Sequence, residues 1–249
     1  MHKLYAAARN EGEKLWKRRR TKAHLLLSLL LPPVIALCFS WLNGRTGLPF
    51  GLSGNLPLTV LSLFTFLFLP LFLASAAADS FTGEAASGTL KLTLLRPITR
   101  SKAFAAKVLA LAACLTLHLA VLWASSVLSA LAMPGLEMTG GWVDSLTAYT
   151  ASWLPMLAVV LLAVLLSQLF QSGTAVMTGF VLLYAAFRAA PLFYPSLSAW
   201  SVFSYANGAA LLRGNGWSTE TFAGALVVPL SYCIMAYTAG MVRFERNPL

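Results

Sequence analysis

DSFTGEAASGTLKLTLLRPITRSKAFAAK, residues 79–107, is the stretch that decides how the rest of the chain is arranged. It lies between two long apolar runs, and outside the N-terminal segment it holds the densest charge in the sequence. Thr82 is placed to cap a short helix, with Glu84 in the first turn, where a carboxylate favours the positive helix end. Gly88 stops that helix, and the pair Arg96-Pro97 enforces an extended exit. Thr99 or Ser101 then caps the next long helix. A chain that only had to turn around between two helices needs three or four residues, so 79–102 reads as a short surface helix with a tight connector, a segment built for docking.

Working outward, the flanks are membrane-like. Hydrophobic residues make up 58% of the sequence and charged ones only 10%, against roughly a quarter charged in soluble domains. Several apolar runs reach the ~20 residues that a bilayer-spanning helix needs. Six spans are expected, at about 24–42, 56–78, 103–131, 149–170, 174–193 and 222–241, with Pro32-Pro33 disturbing the first and Gln171-Ser172-Gly173 forming a tight turn. The expected fold class is therefore an all-α membrane protein in one polytopic domain, residues 24–249, preceded by a separate segment, 1–23.

Segment 1–23 carries eight Lys/Arg and two Glu, with Leu4, Tyr5, Ala8, Leu15 and Trp16 at roughly helical spacing. That pattern describes an interfacial amphipathic helix anchored by Trp16, Arg18, Arg19 and Arg20 on anionic lipid. It lacks a small-residue cleavage site, so it does not read as a secretory signal. Fifteen of the eighteen basic residues lie in 1–23, 79–107 and 242–249. The excess of Lys and Arg puts those three segments, and with them both termini, on the cytoplasmic side. The net charge of +10 is explained in the same way, and no nucleic-acid partner is implied. Residues 194–221 are too apolar for a solvated loop and too broken for a span, which suits a re-entrant hairpin or an amphipathic loop resting on lipid.

The order E-x-x-x-G-T-L, then a Leu pair, P-x-x-R and a later Lys, here Glu84, Gly88, Thr89, Leu90, Leu94-Leu95, Pro97, Arg100 and Lys107, resembles the signature of the ABC-2-type permeases. These are the membrane subunits of one class of ABC exporters. The motif spans about a tenth of the chain, and the six-span layout extends the likeness to nearly all of it. The resemblance implies that 79–102 is a coupling helix docking on two copies of a separate ABC ATPase. It implies a second permease copy or a homologous permease beside this one, and an outer hairpin at 194–221. ATP and Mg would be bound by the ATPase and no cofactor by this chain, which is not itself an enzyme. Glu84, Gly88, Thr89, Leu90, Pro97 and Arg100 become the expected coupling residues. The absence of large extracytoplasmic segments points, within that family, to small bacterial permeases of the cell membrane linked to antibiotic or multidrug resistance.

Other chemistry is poorly supported. The run Gly83–Thr89 superficially resembles a P-loop, but it lacks the Lys that a nucleotide needs and follows a membrane helix. His2, His24 and His118 have no metal-ligand spacing, so no metal site is expected. Cys38, Cys114 and Cys233 each sit singly inside a span and imply no disulfide. The span interiors hold no carboxylate, unlike many ion-coupled transporters. Two span residues are possible pathway groups. His118 faces either the pathway or a neighbouring helix, and Arg188 either snorkels or attracts an anion. The expected function is a permease subunit coupling ATP hydrolysis in its partner to export of an amphipathic or hydrophobic substrate, a peptide antibiotic or a drug. The alternatives are an ATP-independent channel or secondary transporter, a membrane-embedded enzyme, and a non-transporting sensor.

Overall fold

The computed structural model describes residues 2–46, 55–83, 99–132, 141–208 and 219–246. All regular structure among them is helical: α1 (His2–Lys17), α2 (Arg19–Thr46), α3 (Leu56–Gly83), α4 (Arg100–Ala132), α5 (Gly141–Leu169), α6 (Gly173–Phe193), the one-turn α7 (Val202–Tyr205) and α8 (Thr219–Arg246). Six of the described helices, α2 to α6 and α8, are long and apolar enough to cross a membrane. The protein is an all-helical, multi-pass membrane protein. The expected spans coincide with these helices, though several run further. α5 starts at Gly141 rather than near 149, because Gly141 takes a left-handed φ of 76° that launches the helix early, a conformation glycine adopts without penalty. Asp144 thereby falls in the first turn of α5, at the positive helix end.

Cross-helix contacts at one end join Asp79 to Arg18, Ser80 to Lys107, Thr82 to Ser167 and Gln168 to Arg243; at the other they join Pro57 to Tyr149 and Ser152 to Gly208. Successive spans therefore run in opposite directions. Half or more of α3, α4 and α5 is buried within the protein, against about a fifth or less of α2, α6 and α8, so three helices form the core and three cover it. Small buried residues, among them Ala74, Ala77, Ala110, Ala158 and Ala163, let the core helices approach closely. That matters because lipid is as apolar as leucine, and close packing rather than water exclusion drives helix association in a bilayer. The exposed leucines of α2 and the Leu226, Val227, Leu230 and Ile234 face of α8 are the surface such a protein turns to lipid.

Proline explains the polar joints. Pro33 lies inside α2 and cannot donate to the carbonyl four residues back, Leu29 O. Ser125 of α4 donates its hydroxyl to that carbonyl at 2.6 Å. Pro70 likewise leaves Phe66 O without its helical donor, and the helix opens into a π turn over Phe64–Phe68 just before it. Tyr184 of α6 donates to Phe66 O, and Arg188 Nε donates to the Tyr184 hydroxyl at 3.2 Å with its guanidinium 4.5 Å from the Phe66 ring. Neighbouring side chains thus complete what Pro33 and Pro70 remove, as a backbone surrounded by lipid requires.

Residues 194–208 fold back against the bundle. After a short 3-10 helix at Pro195–Trp200, α7 buries Val202 and Phe203, and Ala206 beyond it is also buried. Asn207 Nδ2 then donates to Ser62 of α3 at 3.0 Å, and the Gly208 amide to Ser152 of α5 at 2.8 Å. A Cβ on Gly208 would overlap the Ala148 carbonyl and lie 2.7 Å from Ser152 Oγ, so only glycine fits there. The rest of the expected hairpin segment as far as residue 218 lies outside the described residues. At the opposite end, the tight turn before α6 is capped by Ser172, whose hydroxyl accepts from the Ala175 amide at 3.2 Å.

The proline argument has a direct check. Ser125→Ala should lower stability by about 0.5–1.5 kcal/mol, the cost of an unpaired carbonyl in a bundle. In a Pro33→Ala background, where residue 33 regains its N–H, the same substitution should cost close to nothing. Reversible unfolding in mixed micelles measures both, and an equal cost in the two backgrounds would contradict the account.

Candidate functional site

α1 does not carry one apolar stripe. Leu4, Ala8, Glu11 and Leu15 recur at i, i+4, i+7 and i+11, a single helix face, and this face turns inward: Glu11 is 7% and Leu15 4% exposed. Tyr5 and Trp16, expected to share that stripe, lie about 100° around the helix from it, 72% and 52% exposed. The inward face packs chiefly against α4. A carboxylate in such a face needs a partner, and α4 supplies it.

Lys107 Nζ lies 3.0 Å from Glu11 Oε2 and donates to Ser80 O of α3 at 2.9 Å, with the Phe81 ring 5.6 Å away. Lys14 Nζ reaches the other carboxylate oxygen, Glu11 Oε1, at 2.7 Å. Only 2% of the Lys107 side chain and 9% of the Glu11 side chain are exposed. Burial by itself would raise the Glu11 carboxyl. The Lys107 charge and the hydrogen bonds from Lys14 and Lys107 outweigh it, and hold Glu11 below its ordinary value of 4.5. One ammonium therefore joins three elements, α1, α3 and α4, where α3 is about to end.

A second joint lies beside the first. Arg18 Nη2 donates to Asp79 O at 3.2 Å; its Nη1 is 3.3 Å from Asp79 Oδ2, with the geometry of an ion pair rather than a hydrogen bond, and Arg20 Nη1 is 3.6 Å from the same oxygen. Arg18 is the break between α1 and α2, so Asp79 fixes the elbow. Of the basic residues expected to face lipid, Arg18 turns to the Asp79 carboxylate, while Arg20, though near the same oxygen, is exposed, as are Arg19 and Trp16.

Asp79–Gly83 forms a second π turn that closes α3. Thr82 lies inside it and donates its hydroxyl to Ser167 O of α5 at 3.1 Å. This corrects the expected N-cap: a cap residue needs non-helical backbone, and Thr82 is still in helix. At the start of α4, Thr99 rather than Ser101 holds the cap position, and its carbonyl accepts from the Ala103 amide at 3.0 Å. Arg100 Nη1 donates to Glu245 O at 3.1 Å and Ser101 Oγ to the Glu245 carboxylate, while Arg243 Nε donates to Gln168 O at 3.3 Å. The ends of α3, α4, α5 and α8 are thereby joined around the two points where segment 84–98 leaves and returns.

Of the expected coupling residues, Arg100 is placed at this end, whereas Glu84, Gly88, Thr89, Leu90 and Pro97 lie outside the described residues. His118 and Arg188 belong elsewhere and to separate clusters: His118 inside the bundle against His24 and Phe72, Arg188 over Phe66. Glu11 and Lys107 are the pair that sequence reasoning did not connect. The signal was present, since Glu11 falls on the only α1 face that also holds Leu4, Ala8 and Leu15.

Lys107→Met should loosen α1 by removing one of the two ammonium partners of buried Glu11, a loss of about 3 kcal/mol, the low end for breaking a buried pair because Lys14 remains. Glu11→Leu combined with Lys107→Met should restore docking. In the unaltered protein, a carboxylate with a lowered value contributes docking stability that is present above the ordinary range and lost as pH falls through the lowered value. Spin labels on α1 and α4 should therefore stay close above the ordinary value of 4.5 and separate only as pH falls through the lowered value. Labels that part at neutral pH, or stay close in the single variant, would remove the pair's assigned role.

Among curated proteins none matches this sequence. A family model described as "Protein of unknown function (DUF2705)" matches residues 29–247, which covers all six spans apart from the first turns of α2, and the chain belongs to that family.

Proposed function

We propose that this chain is the permease subunit of an ATP-driven exporter, with segment 84–98 as its contact to a separate ABC ATPase. The observation that carries the reading is the joint at the root of that segment, where Lys107 binds Glu11 of α1 and Ser80 O of α3. A push on 84–98 reaches α3 and α4 directly and α1 through the buried ion pair, and α3 and α4 belong to the core. The resemblance of Glu84, Gly88, Thr89, Leu90, Pro97 and Arg100 to the ABC-2-type pattern supports the same reading.

In this reading the end bearing α1 is cytoplasmic, two permease chains stand over two ATPase copies, and ATP with Mg is held by the ATPase. Closure of the ATPase pair shifts the 84–98 segments, and the rigid joint carries the shift into α3 and α4. Such a device works only if the docked surface binds one state of the ATPase pair better than the other. Residues 194–208, folded between α3 and α5, form the first limb of a re-entrant hairpin that covers the outer end. The cargo is amphipathic or hydrophobic, in keeping with span surfaces of Leu, Phe, Ala and Trp, and the setting is a bacterial cell membrane.

Tagged protein drawn gently from its native membrane should bring a stoichiometric ATPase with it. Glu84→Ala, or a bulky residue in place of Gly88, should leave the chain in the membrane while abolishing both the association and export. A chain recovered alone, moving cargo in vesicles without ATP, would instead establish the channel or secondary-transporter reading.

A further inference from the structure

Arg188 lies near the Phe193 end of α6, a position from which arginines beside lipid snorkel out to the closer surface. It does the opposite. Its Nε donates to the Tyr184 hydroxyl, one turn back, at 3.2 Å. Its guanidinium lies 4.5 Å from the centre of the Phe66 ring and 5.8 Å from that of Tyr184. Tyr184 is nine residues from Phe193 in a helix of 21, so the charge is held roughly 13 Å in from that end, near the middle of the hydrocarbon. Phe66 lies at a matching depth in α3, ten residues from Leu56.

A charge at that depth is costly without an opposite one. The ion pairs among the described residues join Glu13 to Arg9, Glu11 to Lys14 and Lys107, and Asp79 to Arg18 and Arg20, and none includes Arg188. A guanidinium has five N–H donors, and Nε–H alone is engaged with the described residues. Arg188 is half-buried, so the Nη1 and Nη2 edge is open. Beside it Phe66 is exposed, with Leu63 one turn before it and Leu67 after it. The arrangement is also rigid, because the hydroxyl that holds Nε is itself fixed by donating to Phe66 O, the carbonyl freed by Pro70.

We propose that Arg188 binds the anionic group of an amphiphile, a carboxylate or a phosphate monoanion, whose apolar tail lies along Leu63, Phe66 and Leu67. It rests on the exporter reading only in making that amphiphile the cargo. The open Nη edge matches two oxygens of such a group, which arginine binds through paired, charge-assisted hydrogen bonds. In surroundings of low dielectric each of those bonds is stronger than in water. Contact with the Phe66 and Tyr184 rings stabilises the cation while the site is empty. A second negative charge on the ligand would have no partner at this depth, so one charge is selected. Bilayer phospholipid is a poor occupant, since its phosphate stays in the headgroup layer while the guanidinium is near the middle of the hydrocarbon. The ligand is therefore an amphiphile that can leave that layer.

The test is equilibrium binding of a fluorescent long-chain fatty acid to the purified full-length chain in phosphatidylcholine nanodiscs, beside its uncharged methyl ester. The pH is mildly alkaline, so that the acid is ionised. The acid should bind saturably at a single site, more than about 30-fold tighter than the ester, as expected when a desolvated charge finds its partner. Arg188→Gln should bring the acid down to the level of the ester. Arg188→Lys should restore part of the difference, because the charge returns without the fork. Added phosphatidylglycerol should not displace the acid. Should Arg188→Gln fail to fold, nitrogen NMR of the unaltered chain decides: the acid, and not the ester, should move the Arg188 Nη resonances. Equal binding of acid and ester, a preference that survives Arg188→Gln, or displacement by phosphatidylglycerol, the mark of a resident-lipid site, would each overturn the proposal. The assay contains no ATPase, so failure of the exporter reading would leave this binding intact, and failure of the site would leave ATPase association intact.

Discussion

In hydrocarbon, a backbone carbonyl without a donor has no water to turn to, and the joints of this bundle follow from that constraint. Pro33 and Pro70 each remove one helical hydrogen bond, and a neighbouring helix supplies each replacement, from Ser125 and from Tyr184. The helix pairs α2–α4 and α3–α6 are thereby tied at defined heights, which packing of leucine on leucine would not specify. The same constraint recurs where charge is buried. Glu11 and Lys107 are tolerable together because Lys14 and Ser80 O complete their hydrogen bonding, and either left alone would be among the costlier defects a protein can carry.

The spans were legible because they depend on local properties: apolar runs of sufficient length, bounded by Gly, Pro and charge. Their lengths beyond the apolar runs were less so. α3 continues through polar Asp79–Gly83 because Arg18, Lys107 and Ser167 O receive what that turn exposes, and those partners are far away in sequence. For the same reason Thr82 looked like a cap. Its hydroxyl could serve the following backbone or a neighbouring helix, and only the fold brings Ser167 within reach. Arg188 read as a lone charge near a span end, while its place is set by Tyr184 and by a proline in another helix.

The candidate site was partly visible. Lys107 closes the resembling motif, yet its partner Glu11 was read as one of two acids in a basic, lipid-facing helix. An apolar stripe with one charge inside it marks a face docked on protein, because lipid offers no counter-ion at that depth. Tyr5 and Trp16, which helped suggest the stripe, lie about 100° around the helix from it and are exposed. His24 was passed over since single histidines carry no spacing; its nearness to His118 arises from the packing of α2 on α4.

The first π turn in α3 changes how that helix presents itself. In an α-helix each amide bonds the carbonyl four residues back, but the Leu69 amide donates to Phe64 O, five back, with Phe66 and Leu67 exposed between them. One additional residue is housed there, and it shifts the phase of everything beyond it by about 100°, one residue's rotation. The face that α3 shows to α2 and α4 near Asn55 is therefore continued, past the turn, by residues that an uninterrupted helical wheel would assign to a different side. Relatives that lack the additional residue can keep the same core only by losing one position between Leu63 and Leu69, so alignments across this span should be anchored separately on each side of the turn.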